Sequence, residues 1–202
     1  MTRVWLIRHG ESESNIGRTS AEPAMIPLTE FGRQQAQQVT LAFARPPALI
    51  VTSPYLRARQ TAQPTVERFP DVPYEQWPVQ EFTYLGELHG KATTAKEREP
   101  FVRAYWDRGD PGFALGGAES FNDLRGRVQD LLDRLSQTPK GPVAVFTHGH
   151  FMRAMVWTVL SGGSMQDFRR FAESYIVPNC GVIELRFPGP RLIGAARLNP
   201  LW

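Results

Sequence analysis

The run Val4-Trp5-Leu6-Ile7-Arg8-His9-Gly10-Glu11-Ser12 contains a strand and its abrupt end. Four apolar residues in a row fit a short buried strand. Arg8-His9-Gly10 breaks the run, and glycine lets the backbone turn sharply there. A guanidinium and an imidazole thus stand at the carboxyl end of the first strand. That edge is where open α/β sheets bind ligands.

Two later stretches end in the same way. Ala48 to Thr52 is a short apolar strand that closes on Ser53-Pro54, one helical turn before Arg57. Serine before proline is a helix start, with Ser53 as N-cap and Pro54 as first helical residue. Val143 to Thr147 is a further buried strand and closes on His148-Gly149-His150. Parallel strands would bring all three endings to one edge, where two histidines and two arginines would converge. Arg57 carries its own signal. In the first turn of a helix the macrodipole disfavours a cation, so an arginine there is easiest to explain beside an anion.

Helical patterns fill the intervals. One helix opens at Pro27-Leu28-Thr29-Glu30, with Thr29 as N-cap, and runs to about Phe43 before Arg45-Pro46-Pro47 stops it. Another follows Ser53-Pro54 to about Phe69. After Gly116 to Ser120, the residues Leu124, Val128, Leu131, Leu132 and Leu135 share one helical face. A helix from about Phe151 to Leu160 follows the third strand. Cys180 to Phe187 and Leu192 to Leu198 read as closing strands around a hairpin at Pro188-Gly189-Pro190. Strands alternating with helices predict an α/β fold: three α/β/α layers around a mostly parallel central sheet. Pro70 to Gly117 is irregular and rich in Pro, Gly and aromatics, with a short helix from about Lys96 to Trp106. It is too small for a core of its own. Residues 1–202 therefore read as one domain, with roughly 75–117 as an insertion over the sheet edge that lids the pocket and sets specificity.

The bulk numbers bound the function. The chain has 202 residues, 42% hydrophobic and 21% charged, the ordinary balance of a globular protein. A formal net charge of +3 suits an anionic ligand, but no basic tail or stripe with interleaved aromatics points to nucleic acid. One cysteine, Cys180, leaves no internal disulfide and reads as a small buried hydrophobe. The apolar run before Arg8 is too short for a signal peptide, and no stretch nears the roughly 20 apolar residues of a membrane helix. The expectation is a cytoplasmic enzyme with no membrane partner. Its assembly is left open, a homodimer included.

Arg8-His9-Gly10-Glu11-Ser12 with Asn15 resembles the signature of the histidine phosphatase superfamily, which includes the cofactor-dependent phosphoglycerate mutases. Pro27-Leu28-Thr29 with Gly32 and Gln35-Ala36 is similar to the next family block. Ser53-Pro54, Arg57-Ala58 and Gln60-Thr61-Ala62 are similar to the second signature. Gly117 to Ser120, Thr147-His148-Gly149, and Asn179 with Gly181 follow in family order. The likeness spans nearly the whole chain and implies a phosphoglycerate mutase-like fold.

The resemblance implies a metal-independent phosphatase that hydrolyses phosphate monoesters, with no cofactor and no metal ligand. His9 would be the nucleophile and form a phosphohistidine, its other ring nitrogen held by a backbone carbonyl. Arg8, Arg57 and His148 would surround the phosphoryl oxygens, with Asn15 and Gly149 completing the phosphate site. Glu81 would protonate the leaving alcohol and later activate water. The family spaces this glutamate four residues before a glycine. Here Gly86 comes five after Glu81 and Leu88 stands where an aromatic is common, so Glu87 is a rival acid. Glu11 reads as structural, His150 as turned away or capping its helix, His89 as without a role, and Arg59 and Arg127 as salt-bridged or solvated. The partner would be a small phosphorylated compound or a phosphoprotein.

Three other readings compete. A phosphoglycerate mutase-type transfer uses the same residues, but the longer basic and proline-rich segments of such mutases are missing. A non-catalytic phospholigand-binding module would not need nucleophile, arginines and second histidine together. His148-x-His150 has a spacing that metal sites use, yet no close aspartate accompanies it.

Overall fold

Apolar residues alternate along the strands and sort two cores onto the two faces of one sheet. In the computed structural model, which describes residues 2–138, 141–161, 163–187 and 191–197, the sheet has the strands β1 (Thr2–Arg8), β2 (Leu49–Thr52), β3 (Tyr74–Gln76), β4 (Pro142–Thr147), β5 (Gly181–Phe187) and β6 (Arg191–Arg197). Val4, Leu6, Val51, Val143, Val145, Ile183 and Leu185 face one core. Their neighbours Ile7, Ile50, Ala144, Phe146 and Val182 face the other. This is the period of two that a pleated strand imposes when both faces are covered.

The helices α1 (Glu30–Leu41) and α2 (Leu56–Arg68) cover the second core with Val39 and Ala62. The first core lies under α3 (Ala95–Arg108), α4 (Phe121–Gln137), α5 (Gly149–Leu160) and α6 (Met165–Ser174). The five apolar residues read on one face of α4 are all buried. The strand order is β3-β2-β4-β1-β5-β6. β1 pairs parallel with β4, and β2 parallel with both β3 and β4. β5 runs antiparallel to β1, and β6 antiparallel to β5. The three-layer fold with a mostly parallel sheet is thus as expected, closed by an antiparallel pair. The residues of the expected hairpin turn, Pro188-Gly189-Pro190, lie outside the described residues.

Three elements depart from expectation. α2 begins at Leu56, not Pro54, and its N-cap is Tyr55. The Ser53 hydroxyl accepts only a local bond from Tyr55 N–H and is turned instead toward His148. The irregular middle begins as part of the sheet, because Tyr74–Gln76 adds β3 to its edge beside β2. α6 was not anticipated. Its sequence is mostly polar, yet Ser164 and Asp167 form a reciprocal capping box, and Met165, Phe168 and Ala172 are buried. A Ser-x-x-Asp box before apolar residues three and four apart is the signal that could have found it.

Strand register sets the site. Arg8 pairs with Thr147, and Thr52 with Phe146. The residues that follow, His9, His148 and Ser53, therefore leave the sheet side by side. His9 N–H donates to Thr147 O at 3.0 Å and Ser53 N–H to Phe146 O at 2.9 Å. All three parallel endings share one edge.

Candidate active site

The loop after β1 is held from several sides. Gly10 N–H donates to Thr61 Oγ1 at 3.0 Å, and Glu11 N–H to Gln35 Oε1 at 2.7 Å. α1 approaches so closely that a Cβ on Gly10 would meet Gly32 O at 2.6 Å, and one on Gly32 would meet Glu11 O at 2.0 Å. Only glycine fits at either position. Thr29 caps α1 and donates to Glu11 Oε1 at 2.8 Å, the structural role expected of Glu11. Cys180 N–H and Asn179 Nδ2 reach the carbonyls at the end of β1 from the opposite side. The Cys180 thiol is buried, which pushes its pKa up to about 12, so it is an inert apolar group.

His9 is 3% exposed. Its Nδ1 lies 2.7 Å from Gly10 O. A carbonyl can only accept, so the proton sits on Nδ1 and the lone pair on Nε2. Arg57 Nε–H donates to that Nε2 at 3.2 Å. Burial, and then the nearby Arg57 and Arg8 guanidiniums, hold the His9 pKa well below its ordinary value. The ring is a neutral imidazole with its free nitrogen aimed at cations. That is the state a nucleophile toward phosphorus needs.

Arg8, His9, Asn15, Arg57 and Glu81 line one cavity of about 310 Å³. Arg57 is further tied to Pro23 O at 2.7 Å and lies over the Tyr55 ring. Burial is the main cause that pushes its pKa down to about 10, so it remains charged. Arg8 donates to Val177 O, while its buried Nε has no acceptor. Asn15 Oδ1 accepts from Ser12 N–H, Ser12 Oγ and Asn179 Nδ2. With the oxygen occupied on one side, the Asn15 amide nitrogen is left as its donor to the cavity.

Glu81 comes to the site on a segment without regular structure, and hydrogen bonds explain how. Arg127 donates to Pro78 O and Gln80 O while it forms a two-pronged ion pair with Glu119. Thr147 Oγ1 donates to Val79 O, and Glu119 N–H to Thr83 O. The carboxylate accepts from His150 N–H at 2.9 Å and Phe82 N–H at 3.1 Å. Burial alone would raise its pKa. The hydrogen bond from His150 and the positive charge of Arg57 outweigh burial and hold it well below the ordinary carboxylate range. Its rival Glu87 is exposed and is not among the residues that line the cavity.

His148 is brought to the site, but not into the cavity wall. It is 0% exposed and stands behind His9, with the ring centroids 5.1 Å apart. Its Nε2 lies 2.8 Å from Ser53 Oγ. Gly149 opens α5 beside Arg8 and does not line the cavity either. Two histidines were undervalued from sequence. His150 lines the cavity with its ring 3.8 Å from Glu81, and His89 also lines it. Nothing local in the sequence distinguishes them, because the segments that meet there are far apart in the chain. Arg127, read as salt-bridged or solvated, is salt-bridged to Glu119. Asn179 and Glu119 had no assigned role, and Ser53 only that of a helix cap. Among the described residues, no three His, Cys, Asp or Glu side chains come together as a metal site, and no helix is long and apolar enough to cross a membrane.

These buried rings predict an acid-sensitive fold. His148, like His9, is held neutral first by burial and then by neighbouring cations. In the unfolded chain both bind a proton below about pH 6.5, while in the folded chain they do not. Between that value and their depressed folded pKa, stability falls as pH falls, by about 1.4 kcal/mol per pH unit for each ring. Glu81 adds to the loss only below its ordinary value of 4.5. Urea unfolding at pH 7.5, 6.5 and 5.5 checks this. His148→Gln should roughly halve the slope, and a flat profile in the native chain would contradict the buried neutral rings.

The pattern that defines the histidine phosphatase superfamily (branch 1) matches residues 4–193. The metal-independent phosphoserine phosphatase of Arabidopsis thaliana is 28% identical over 178 residues, 81% of this chain and 71% of that protein. The glucosyl-3-phosphoglycerate phosphatase of Mycobacterium tuberculosis is 30% identical over 164 residues, 76% of this chain and 73% of that one. The phosphoserine phosphatase of Entamoeba histolytica, solved with 3-phosphoglyceric acid, superposes with a TM-score of 0.75 at 26% identity and covers 96% of each chain.

Proposed function

We propose a reaction for a chain that belongs to the histidine phosphatase superfamily: His9 Nε2 takes the phosphoryl group from a phosphate monoester, and water takes it from His9. The chain is a phosphatase, a phosphoric monoester hydrolase of the metal-independent kind. The observation that carries the covalent route is the Nδ1 contact with Gly10 O, which leaves Nε2 unprotonated in a buried, cationic setting.

The phosphate would lie between Arg8, Arg57 and the Asn15 amide, with His148 behind it. Guanidiniums suit this step, because phosphoryl transfer asks for positioning and charge stabilisation more than for covalent help. Arg57 holds the His9 lone pair in the empty site. An entering phosphate offers that guanidinium a stronger acceptor and frees Nε2 for attack in line with the ester oxygen. The P–N bond forms as the P–O bond breaks, and a proton on Glu81 goes to the departing alkoxide. Glu81 is ionised in the empty site, but a phosphate dianion beside it opposes its charge and favours uptake of that proton with the substrate. Glu81 then takes a proton from water as its oxygen attacks phosphorus; the P–N bond breaks, its electron pair returns to His9 Nε2, and inorganic phosphate leaves.

The rest of the cavity sorts the leaving group. Phe82, Tyr84, Leu85 and Leu88 give it an apolar wall, and Ser14, Thr93 and Arg98 a polar one. Most of these residues belong to the stretch 75–117, which serves as lid and specificity segment within a single domain. A small amphiphilic alcohol suits that lining, which favours a metabolite ester over a phosphoprotein. We place the chain in the cytoplasm on its single cysteine.

A phosphate-release screen over many monoesters with a chelator present tests this reading. A subset of small esters should be cleaved at an unchanged rate. Phosphoryl transfer to a second acid in place of release would move the chain to the mutases, and loss of activity in chelator would overturn the metal-free route. Arg57→Met should lower kcat/KM by roughly 100-fold, the scale of about 3 kcal/mol for one lost charge-stabilising donor. Steady-state kinetics on the best ester would read it, and a change under fivefold would remove Arg57 from the phosphate site.

A further inference from the structure

The active cavity shares a wall with a second one. Between α3, α5 and α6 lies a cleft of about 520 Å³, and Tyr84, Val102 and His150 line both. Three arginines border the cleft. Arg103 is paired with Glu99, and Arg169 with Asp107 and Glu173. Arg153 has no such partner among the described residues, and its Nε is buried without an acceptor. Arg153 Nη2 and Arg8 Nε lie 3.7 and 3.5 Å from the point a Cβ would take on Gly149, so two cations crowd one glycine. Arg8 Nε is buried without an acceptor as well. A buried donor left unmade is costly, and like charges this close add repulsion. Glu81 is the carboxylate whose charge acts on both, but its hydrogen bonds come from the N–H groups of His150 and Phe82 to Oε1, and among the described residues it pairs with neither guanidinium.

We propose that this cleft is a second anion site in which Arg153 receives a carboxylate or phosphate group. The anion has two possible sources. It is either a second acidic group on the substrate's leaving alcohol, reaching past Tyr84 and His150, or a separate small anion bound beside the active cavity. The first source rests on the phosphatase reading given above, and the second does not.

Arginine Nε–H resonances of the native chain read the site directly, with the Arg153 signal assigned by its loss in Arg153→Met. Inorganic phosphate is titrated into the native chain and into Arg57→Met, which cripples the active phosphate site. A saturable shift of the Arg153 signal in both supports a separate anion. The second arm compares kcat/KM for phenyl phosphate and 4-carboxyphenyl phosphate. If the substrate supplies the anion, the native chain prefers the carboxylate. Arg153→Met should then cut the ratio of the two by tenfold or more, and Arg153→Lys should restore most of it. A merely structural arginine would lower both esters together and leave the ratio alone. A shift that vanishes in Arg57→Met, together with an unchanged ratio, overturns the proposal. A chain that cleaves neither ester, yet keeps the phosphate shift in both proteins, loses the phosphatase reading and keeps the anion site.

Discussion

His9→Ala is expected to abolish phosphate release and leave the fold in place. Removal of a covalent nucleophile costs roughly 10⁴-fold or more, because no other group can accept the transferred phosphoryl. His148 is sealed behind His9 with Nε2 on Ser53, and the His150 ring lies 3.8 Å from Glu81. The fold should survive because the His9 loop is pinned by backbone contacts that do not use the ring: His9 N–H to Thr147 O, Gly10 N–H to Thr61, and Asn179 to His9 O. Phosphate release and a thermal melt of both proteins check the two halves of this expectation. A labelled ester quenched in alkali, where phosphohistidine persists, should mark the native chain and not the variant. Normal turnover by His9→Ala would end the covalent route.

Glu81→Gln separates proton transfer from position. The amide oxygen can still accept from His150 N–H and Phe82 N–H, so the segment keeps its place. What goes is the proton. General acid catalysis is worth roughly 10²–10⁴-fold, and it matters most when the leaving group is a poor one. The kcat/KM of alkyl phosphates should fall by that much. That of p-nitrophenyl phosphate, whose leaving group departs unprotonated, should fall far less. Equal losses on both esters would mean that Glu81 serves position or charge and not proton transfer. The exposed Glu87 supplies the control, since Glu87→Gln should leave both esters within about twofold of the native rates.

The arginine and histidine end of the cavity was legible because it sits on strand ends. Arg8-His9-Gly10, Ser53-Pro54 with Arg57, and His148-Gly149 each follow a short apolar run. A parallel sheet gathers such endings whatever the intervening loops do. The place of Glu81 was harder to read. Val79 to Thr83 has no helix or strand pattern, and its shape comes from Arg127, Thr147 and Glu119, none closer than 36 residues in the chain. His150 was misjudged for the same reason. Its meaning depends on Glu81, 69 residues away.

Ser53 shows how a local rule yields to a tertiary one. Serine before proline should cap a helix, and its hydroxyl is instead spent on His148, because β2 and β4 are in register and bring the two residues together. The sequence by itself determined what local chemistry and periodicity can carry: six strands less one, the helices with clear apolar faces, and the meeting of His9 with Arg8 and Arg57 at one sheet edge. Tertiary structure alone decided which glutamate lines the cavity, that His148 stands behind the wall and His150 in it, and that Arg153 faces a cleft without an ion-pair partner among the described residues. Strand period and helix period act between near neighbours, whereas hydrogen bonds and charges act between whatever the packing makes adjacent.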